Sequence, residues 1–182
     1  ELYKKQNPDS WFALYKAELS LAQEMFAYLH FLEIFLRNKI TAEFNADFGD
    51  WLLTTNRNFH LNTKEQEKID QILITLTKSK KATSSDNIIS NLSLGFWTNL
   101  FHRHYTGVWQ QNKMIERVFP FLKSRERSLK QVQKELEEIR KFRNRIFHFE
   151  SLQNSNTPHM QMLIDKFIYG ISGLRIEELL DD

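Results

Sequence analysis

The chain contains no cysteine among its 182 residues, and it has only 5 glycines and 3 prolines. Without cysteine it can form neither a disulfide framework nor a metal site held by thiolates. Glycine and proline are the residues that most often break helices and form tight turns, so their scarcity favours long helices. We therefore expect a helical protein, and the absence of cysteine is consistent with a reducing cytoplasm.

Neither sign of charge is in large excess, since 25 Lys and Arg residues face 23 Asp and Glu residues, for a formal net charge of +2. This balance does not by itself indicate a nucleic-acid ligand. Evidence for nucleic-acid binding must therefore come from where the basic residues lie in the sequence. The most apolar part of the chain is interrupted by Glu18, Glu24, His30, Glu33 and Arg37. No uninterrupted run reaches the roughly 20 residues that span a bilayer, and we expect a soluble, cytoplasmic protein that does not associate with membranes.

Apolar residues make up 41% of the chain and include 15 Phe and 4 Trp, enough to build a sizeable core. The length suits one domain, which we assign to residues 1–182. A polar stretch over residues 78–86 is expected to connect two helices within it.

The spacing of apolar residues is helical in most segments. After a helix-start signal over residues 7–10, apolar residues at intervals of three, four and seven from Trp11 to Ile40 predict one long helix, or two joined by a kink, that ends near Gly49. A more polar helix is predicted over 62–81, with a short helix after it. A helix rich in aromatic residues is predicted to run without a break from Ser93 to Trp109.

The clearest amphipathic stripe follows Ser124, which we expect to cap a long helix. Its apolar residues are spaced three and four apart: Leu129, Val132, Leu136, Ile139, Phe142 and Ile146. A last helix is predicted from Thr157, as its cap, with Pro158 in its first turn, to Leu174. These elements predict an all-α fold, a helical bundle with long antiparallel helices.

Basic residues concentrate at the end of this amphipathic helix, where the chain reads RKFRNRIFH from Arg140 to His148. Arg140, Asn144 and His148 share one helix face at i, i+4 and i+8. Arg143 lies about 140° around the helix from His148. The two side chains can therefore converge only through the length of the arginine, at a frayed helix end or across a partner subunit.

These residue types suit phosphodiester cleavage. A histidine can transfer protons near neutral pH, and an arginine can hold a phosphate through two parallel hydrogen bonds. A basic patch at a helix end is, however, most often a solvated face with favourable dipole interactions. Spacing alone leaves both interpretations open.

The segment from Phe142 to Glu150 resembles the R-x4-6-H motif of HEPN ribonucleases, including the asparagine that many of them carry after the arginine. It is most similar to the abortive-infection (Abi-like) branch. Residues 32–38, residues 93–97 and the pair Phe119-Pro120 fit the same branch, so that the resemblance covers most of the chain. Phe149 stands where the branch often has a second histidine, which puts the rate or substrate range in question.

The resemblance implies a HEPN-type bundle and metal-independent RNA cleavage by attack of a 2'-hydroxyl on the adjacent phosphate. His148 would be the acid or base, Arg143 would neutralise the pentacoordinate phosphate, and Asn144 would orient its neighbours. Arg140, Arg145 and Glu150 are candidate supporting or RNA-binding residues. No metal or other cofactor is expected.

A toxin or phage-defence effector is the biological role that the resemblance implies. The substrate would be transfer or messenger RNA in the cytoplasm. The family implies a homodimer whose two motifs share one active site, and self-toxicity implies control by an antitoxin or another regulatory partner.

Glu33 and Arg37 lie four residues apart in the first long helix and have two interpretations. They are either a marginal surface ion pair or charged residues that line the cleft of the active site. Two other functions stay open for the chain as a whole. One is a non-catalytic HEPN module that binds RNA or a protein, and the other is a purely structural bundle. His102 and His104 are two residues apart and do not share a helix face, so a metal site there is the weaker interpretation.

Overall fold

The computed structural model describes residues 8–53, 61–153 and 155–180, with side chains described from residue 12 onward. No β-strand occurs in these ranges, so that the predicted all-α fold is confirmed. The helices are α1 (Pro8–Phe48), α2 (Thr63–Lys78), α3 (Ser85–Asn91), α4 (Leu94–Asn99), α5 (Thr106–Gln110), α6 (Met114–Val118), α7 (Leu129–Phe147), α8 (Thr157–Ser172) and α9 (Ile176–Leu180).

Helix α1 is a single element of 41 residues and forms the central axis of the fold. One of its faces is completely buried, through Met25, Leu32, Leu36, Ile40 and Phe44. These residues lie seven or four apart, the spacing that keeps side chains on one side of a helix. Helix α1 packs along α8 and also contacts α4 and α6.

Part of α1, within Phe12–Phe48, is long and apolar enough to cross a membrane when judged by length and composition alone. In this fold 22% of that window is buried, through the apolar face described above. The charged residues that interrupt this segment therefore did not prevent it from reaching the average hydropathy of a spanning helix.

The aromatic residues gather at the C-terminal end of α1. The rings of Phe101 and Trp109 stack with their centroids 4.1 Å apart, and the indole of Trp109 donates a hydrogen bond to the carbonyl of Leu100 at 2.6 Å. The prediction of one unbroken helix from Ser93 to Trp109 is wrong here. The chain instead forms α4, a short 3-10 turn over 103–105 and α5. A continuous helix would present these rings on several faces, whereas the bends bring them into one core.

Helices α7 and α8 are antiparallel and carry a polar pair between them. Lys166 of α8 donates to Glu135 of α7 at 2.6 Å, and both side chains are largely buried. Further towards the C-terminus of α7, the imidazole of His159 lies 3.6 Å from the carboxylate of Glu138. The C-terminal end of α7 thus lies beside the N-terminal end of α8.

The ends of these two helices differ from the prediction in detail. Residues 124–126 form a 3-10 turn, and α7 begins five residues after Ser124, at Leu129. The cap of α8 is Asn156, whose side chain accepts from the backbone of His159, and Thr157 is the first helical residue. The helix ends at Ser172, before Gly173, because glycine adopts the left-handed conformation (φ 77°) without strain.

Candidate functional site

The last two turns of α7 lie against the middle of α1. The ring of Phe147 packs on the ring of Phe26 with centroids 5.6 Å apart, and the ring of Phe26 stacks in turn with that of His30 at 6.3 Å. The guanidinium of Arg143 lies 3.7 Å from the centroid of Phe147, in cation–π geometry. Arg143 is therefore held in a defined position one helical turn before the end of α7.

A small pocket opens between the two helices. Its lining residues come from both: Phe26, Leu29, His30, Glu33, Arg143 and Phe147. The pocket unites Arg143 with Glu33, two of the residues that the sequence singled out. Glu33 thus lines the pocket that contains the motif arginine, and it does not form the surface ion pair with Arg37 that was the other interpretation.

Burial raises the pKa of the half-buried Glu33 carboxyl above its usual value. The positive charge of Arg143, the backbone N–H of Leu94, and the side chains of Arg37 and His30 oppose that rise, in that order of importance. Leu94 is the first residue of α4, whose preceding Ser93 makes no side-chain cap. The N-terminus of α4 and the guanidinium of Arg143 therefore both favour the ionised form of the Glu33 carboxyl.

Arg37 lies near Glu33 but does not form a salt bridge with it. Its Nε donates to the side-chain oxygen of the neighbouring Asn38 at 3.4 Å. Arg140 is also engaged, because its Nε and Nη2 donate to both carboxylate oxygens of Glu137 at 2.8 and 2.6 Å. The charge of Arg140 is largely compensated, whereas that of Arg143 faces the pocket.

Asn144 and His148 lie at the exposed end of the motif. The side-chain oxygen of Asn144 accepts from Nη1 of Arg143 at 3.5 Å, and the carbonyl of Asn144 accepts from the backbone N–H of His148 at 2.9 Å. His148 is exposed, and no hydrogen bond or ion pair to another described residue orients its imidazole. The structure therefore connects Asn144 with Arg143 and leaves the His148 ring open to solvent.

A Schellman motif ends α7. The backbone N–H of Phe149 donates to the carbonyl of Ile146 at 3.2 Å, and that of Glu150 donates to the carbonyl of Arg145 at 2.9 Å. The motif places Phe149 in the left-handed region with φ 53°, a conformation that bulky side chains rarely adopt. Its ring is 87% exposed. The residue after the motif histidine is thus both strained and presented to solvent.

The loop after α7 is fixed by polar contacts. Arg145 donates to the backbone carbonyl of Ser151, and its Nε lies 3.8 Å from the carboxylate of Glu150. Glu18 of α1 accepts from the Ser151 hydroxyl at 2.8 Å and from the backbone N–H of Leu152 at 3.1 Å. Arg145 and Glu150 are therefore placed to hold this loop beside the motif.

Phe26 and His30 were not among the site residues predicted from the sequence. They precede Glu33 and Arg37 at intervals of four, three and four, so that all four share one face of α1. This spacing was readable in the sequence. It could not show that the face meets the end of α7, because that contact is tertiary.

A second polar cluster lies at the N-terminus of α2. The carboxylate of Glu65, 1% exposed, accepts from Asn99 at 3.0 Å and from the Tyr105 hydroxyl at 3.2 Å. Burial raises the pKa of that hydroxyl. His102 lies beside this cluster. The described side chains contain no group of three or more His, Asp or Glu residues arranged to hold a metal ion.

Comparison with known proteins gave no match to a family model, to a curated protein or to a solved structure.

Proposed function

We propose that this protein is a metal-independent endoribonuclease that uses Arg143, Asn144 and His148 at the end of α7. The observation that carries the proposal is the position of Arg143. Its guanidinium lies over the ring of Phe147 and donates to the side chain of Asn144, in a pocket that Glu33 also lines. His148 follows five residues later, at the exposed end of α7. Phosphodiester cleavage requires a positioned cation and a group that can transfer protons, and the end of α7 carries one residue of each kind.

In the proposed reaction the 2'-hydroxyl of RNA attacks the adjacent phosphorus. The O–P bond to the 2'-oxygen forms while the bond to the 5'-oxygen breaks, leaving a 2',3'-cyclic phosphate and a 5'-hydroxyl. One proton leaves the 2'-oxygen and one is delivered to the 5'-oxygen. Arg143 would compensate the additional negative charge of the pentacoordinate phosphate, and His148 would carry one of the two protons.

The need for two proton transfers supports a homodimer with a composite site. One motif supplies one histidine, and a second copy of the chain would supply the other. Arg37 would assist through its positive field, and Arg145 and Glu150 would fix the loop that follows His148. We propose a cytoplasmic toxin or phage-defence effector that acts on transfer or messenger RNA, under the control of an antitoxin or another regulatory partner.

A non-catalytic HEPN module that binds RNA or a protein is the second candidate. The observation that favours it is the His148 imidazole, which no described neighbour orients, together with Phe149 in place of a second histidine. Such a module would need Arg143 for binding and would tolerate the loss of His148.

Incubation of the purified protein with labelled single-stranded RNA and transfer RNA in EDTA tests the proposal. We expect cleavage by the wild type, and none above background by Arg143→Ala or His148→Ala. Lys141→Ala is the matched control, because Lys141 is a basic residue of the same helix that is 71% exposed. Intact RNA with every protein, when all of them are folded, would refute the nuclease. Binding that depends on Arg143 alone would then support the module.

A further inference from the structure

Aromatic rings are unusually exposed beside the motif arginine. Phe26 is 50% exposed and Phe147 is 41% exposed, although phenylalanine is normally among the most buried residues. Both belong to a row in which Phe26 contacts His30 on one side and Phe147 on the other. The ring of Phe147 is in turn covered by the guanidinium of Arg143. These four residues form what we call the aromatic row.

The aromatic row is continuous with positive charge. Arg143 belongs to it, and His148 follows one residue after Phe147. Exposed rings next to a cation that can hold a phosphate match the chemistry of single-stranded nucleic acid, which combines flat bases with a charged backbone. A neutral apolar partner would leave that charge uncompensated.

The pocket beneath the row is too small for a base. Its volume is about 30 Å³, room for about two water molecules. A nucleobase must therefore lie on the exposed ring faces. Bases paired within a duplex have their faces covered by their neighbours, so only an unpaired base can stack there.

We propose that the aromatic row is a stacking platform for an unpaired base of RNA, next to the phosphate that Arg143 binds. The platform rests on the proposed RNA-cleaving function and adds a substrate class, single-stranded RNA or loops. Phe26 is its specificity-determining residue, because it is the more exposed of the two phenylalanines and supports no catalytic side chain directly. Phe147 also positions Arg143, because the guanidinium lies over its ring.

The test measures binding of a short single-stranded oligoribonucleotide that carries 2-aminopurine at one position, with the same sequence in duplex form as a second probe. Phe26→Leu keeps an apolar side chain and removes the ring face, whereas Phe26→Trp keeps a stacking surface. Phe121→Leu is the matched control. Phe121 is also 50% exposed, but it packs beside Tyr169 and Gly173 at the other end of the bundle.

Stacking on an aromatic ring contributes enough that we expect Phe26→Leu to weaken single-strand binding about tenfold. It should also abolish the quenching of 2-aminopurine fluorescence on binding. Phe26→Trp and Phe121→Leu should bind like the wild type, and the duplex should bind more weakly to all of them.

The outcomes separate the two proposals. Cleavage of RNA by a Phe26→Leu variant with unchanged affinity and quenching would overturn the platform and keep the nuclease. Binding that depends on Phe26 without any cleavage would keep the platform and overturn the nuclease. A wild-type protein that neither binds nor cleaves single-stranded RNA would overturn both.

Discussion

Phe149 offers a direct test of the geometry at the end of α7. The Schellman motif places it in the left-handed region with φ 53°, where the Cβ of any L-residue lies too close to the backbone. Glycine has no Cβ and adopts this conformation without penalty. Phe149→Gly should therefore relieve the strain, whereas Phe149→Ala should retain it.

The difference between these two variants isolates the backbone contribution, because both lose the ring. We expect the glycine variant to be more stable than the alanine variant by about 1 kcal/mol. The ring itself contributes little. It is 87% exposed, so about 25 Å² of an aromatic side chain of about 200 Å² is hidden, equivalent to about 0.6 kcal/mol. The wild type should then lie between the alanine and glycine variants in stability.

Urea denaturation followed by circular dichroism measures these differences, and thermal unfolding should separate the two variants by about 3 °C for a chain of this length. Asn91, the last residue of α3, does not have a positive φ. Asn91→Ala and Asn91→Gly therefore serve as a control pair at an unstrained helical position. There alanine should be the more stable. Equal stability of Phe149→Gly and Phe149→Ala would show that the residue is not held in the left-handed conformation.

Two further perturbations test the site and the core. Arg143→Met should raise the pKa of Glu33 further above its usual value, because the guanidinium favours the carboxylate; an NMR titration of the Glu33 carboxyl that shows no change would contradict their proximity. Gly170→Ala should destabilise the fold by about 1–3 kcal/mol, since the new Cβ would lie 2.7 Å from Cγ of Leu122. Gly107→Ala meets no atom within 4 Å and should be neutral or stabilising in the same unfolding experiment, and equal losses for both glycines would refute the packing described around Gly170.

Much of the fold was predictable because the spacing of apolar residues along the sequence determines which face of each helix is buried. The stripe from Leu129 to Ile146 identified α7, and the spacing between Leu21 and Ile40 identified α1. The prediction of one helix after Ser93 was wrong, because a segment rich in aromatic residues fits both one buried helix and several short ones. Only the tertiary requirement to bury Phe101 and Trp109 together selects the bends.

The candidate site was predictable in composition but not in assembly. The motif residues and Glu33 followed from the sequence, and the structure unites Glu33 with Arg143. The contribution of Phe26 depends on how α1 crosses the end of α7, which no local pattern encodes. The left-handed conformation of Phe149 was also hidden, because glycine is the usual signal for such a helix end.

We propose that the end of α7 cleaves RNA by promoting attack of the RNA's own 2'-hydroxyl on the adjacent phosphorus. The most direct measurement uses an oligoribonucleotide cleaved by the wild type in EDTA and a matched substrate with a single 2'-deoxynucleotide at the cleaved position. We predict 2',3'-cyclic phosphate ends from the first and no cleavage at that position in the second, with no cleavage of either by His148→Ala. Cleavage of the 2'-deoxy substrate at the same position, or undiminished cleavage by His148→Ala, would contradict the account.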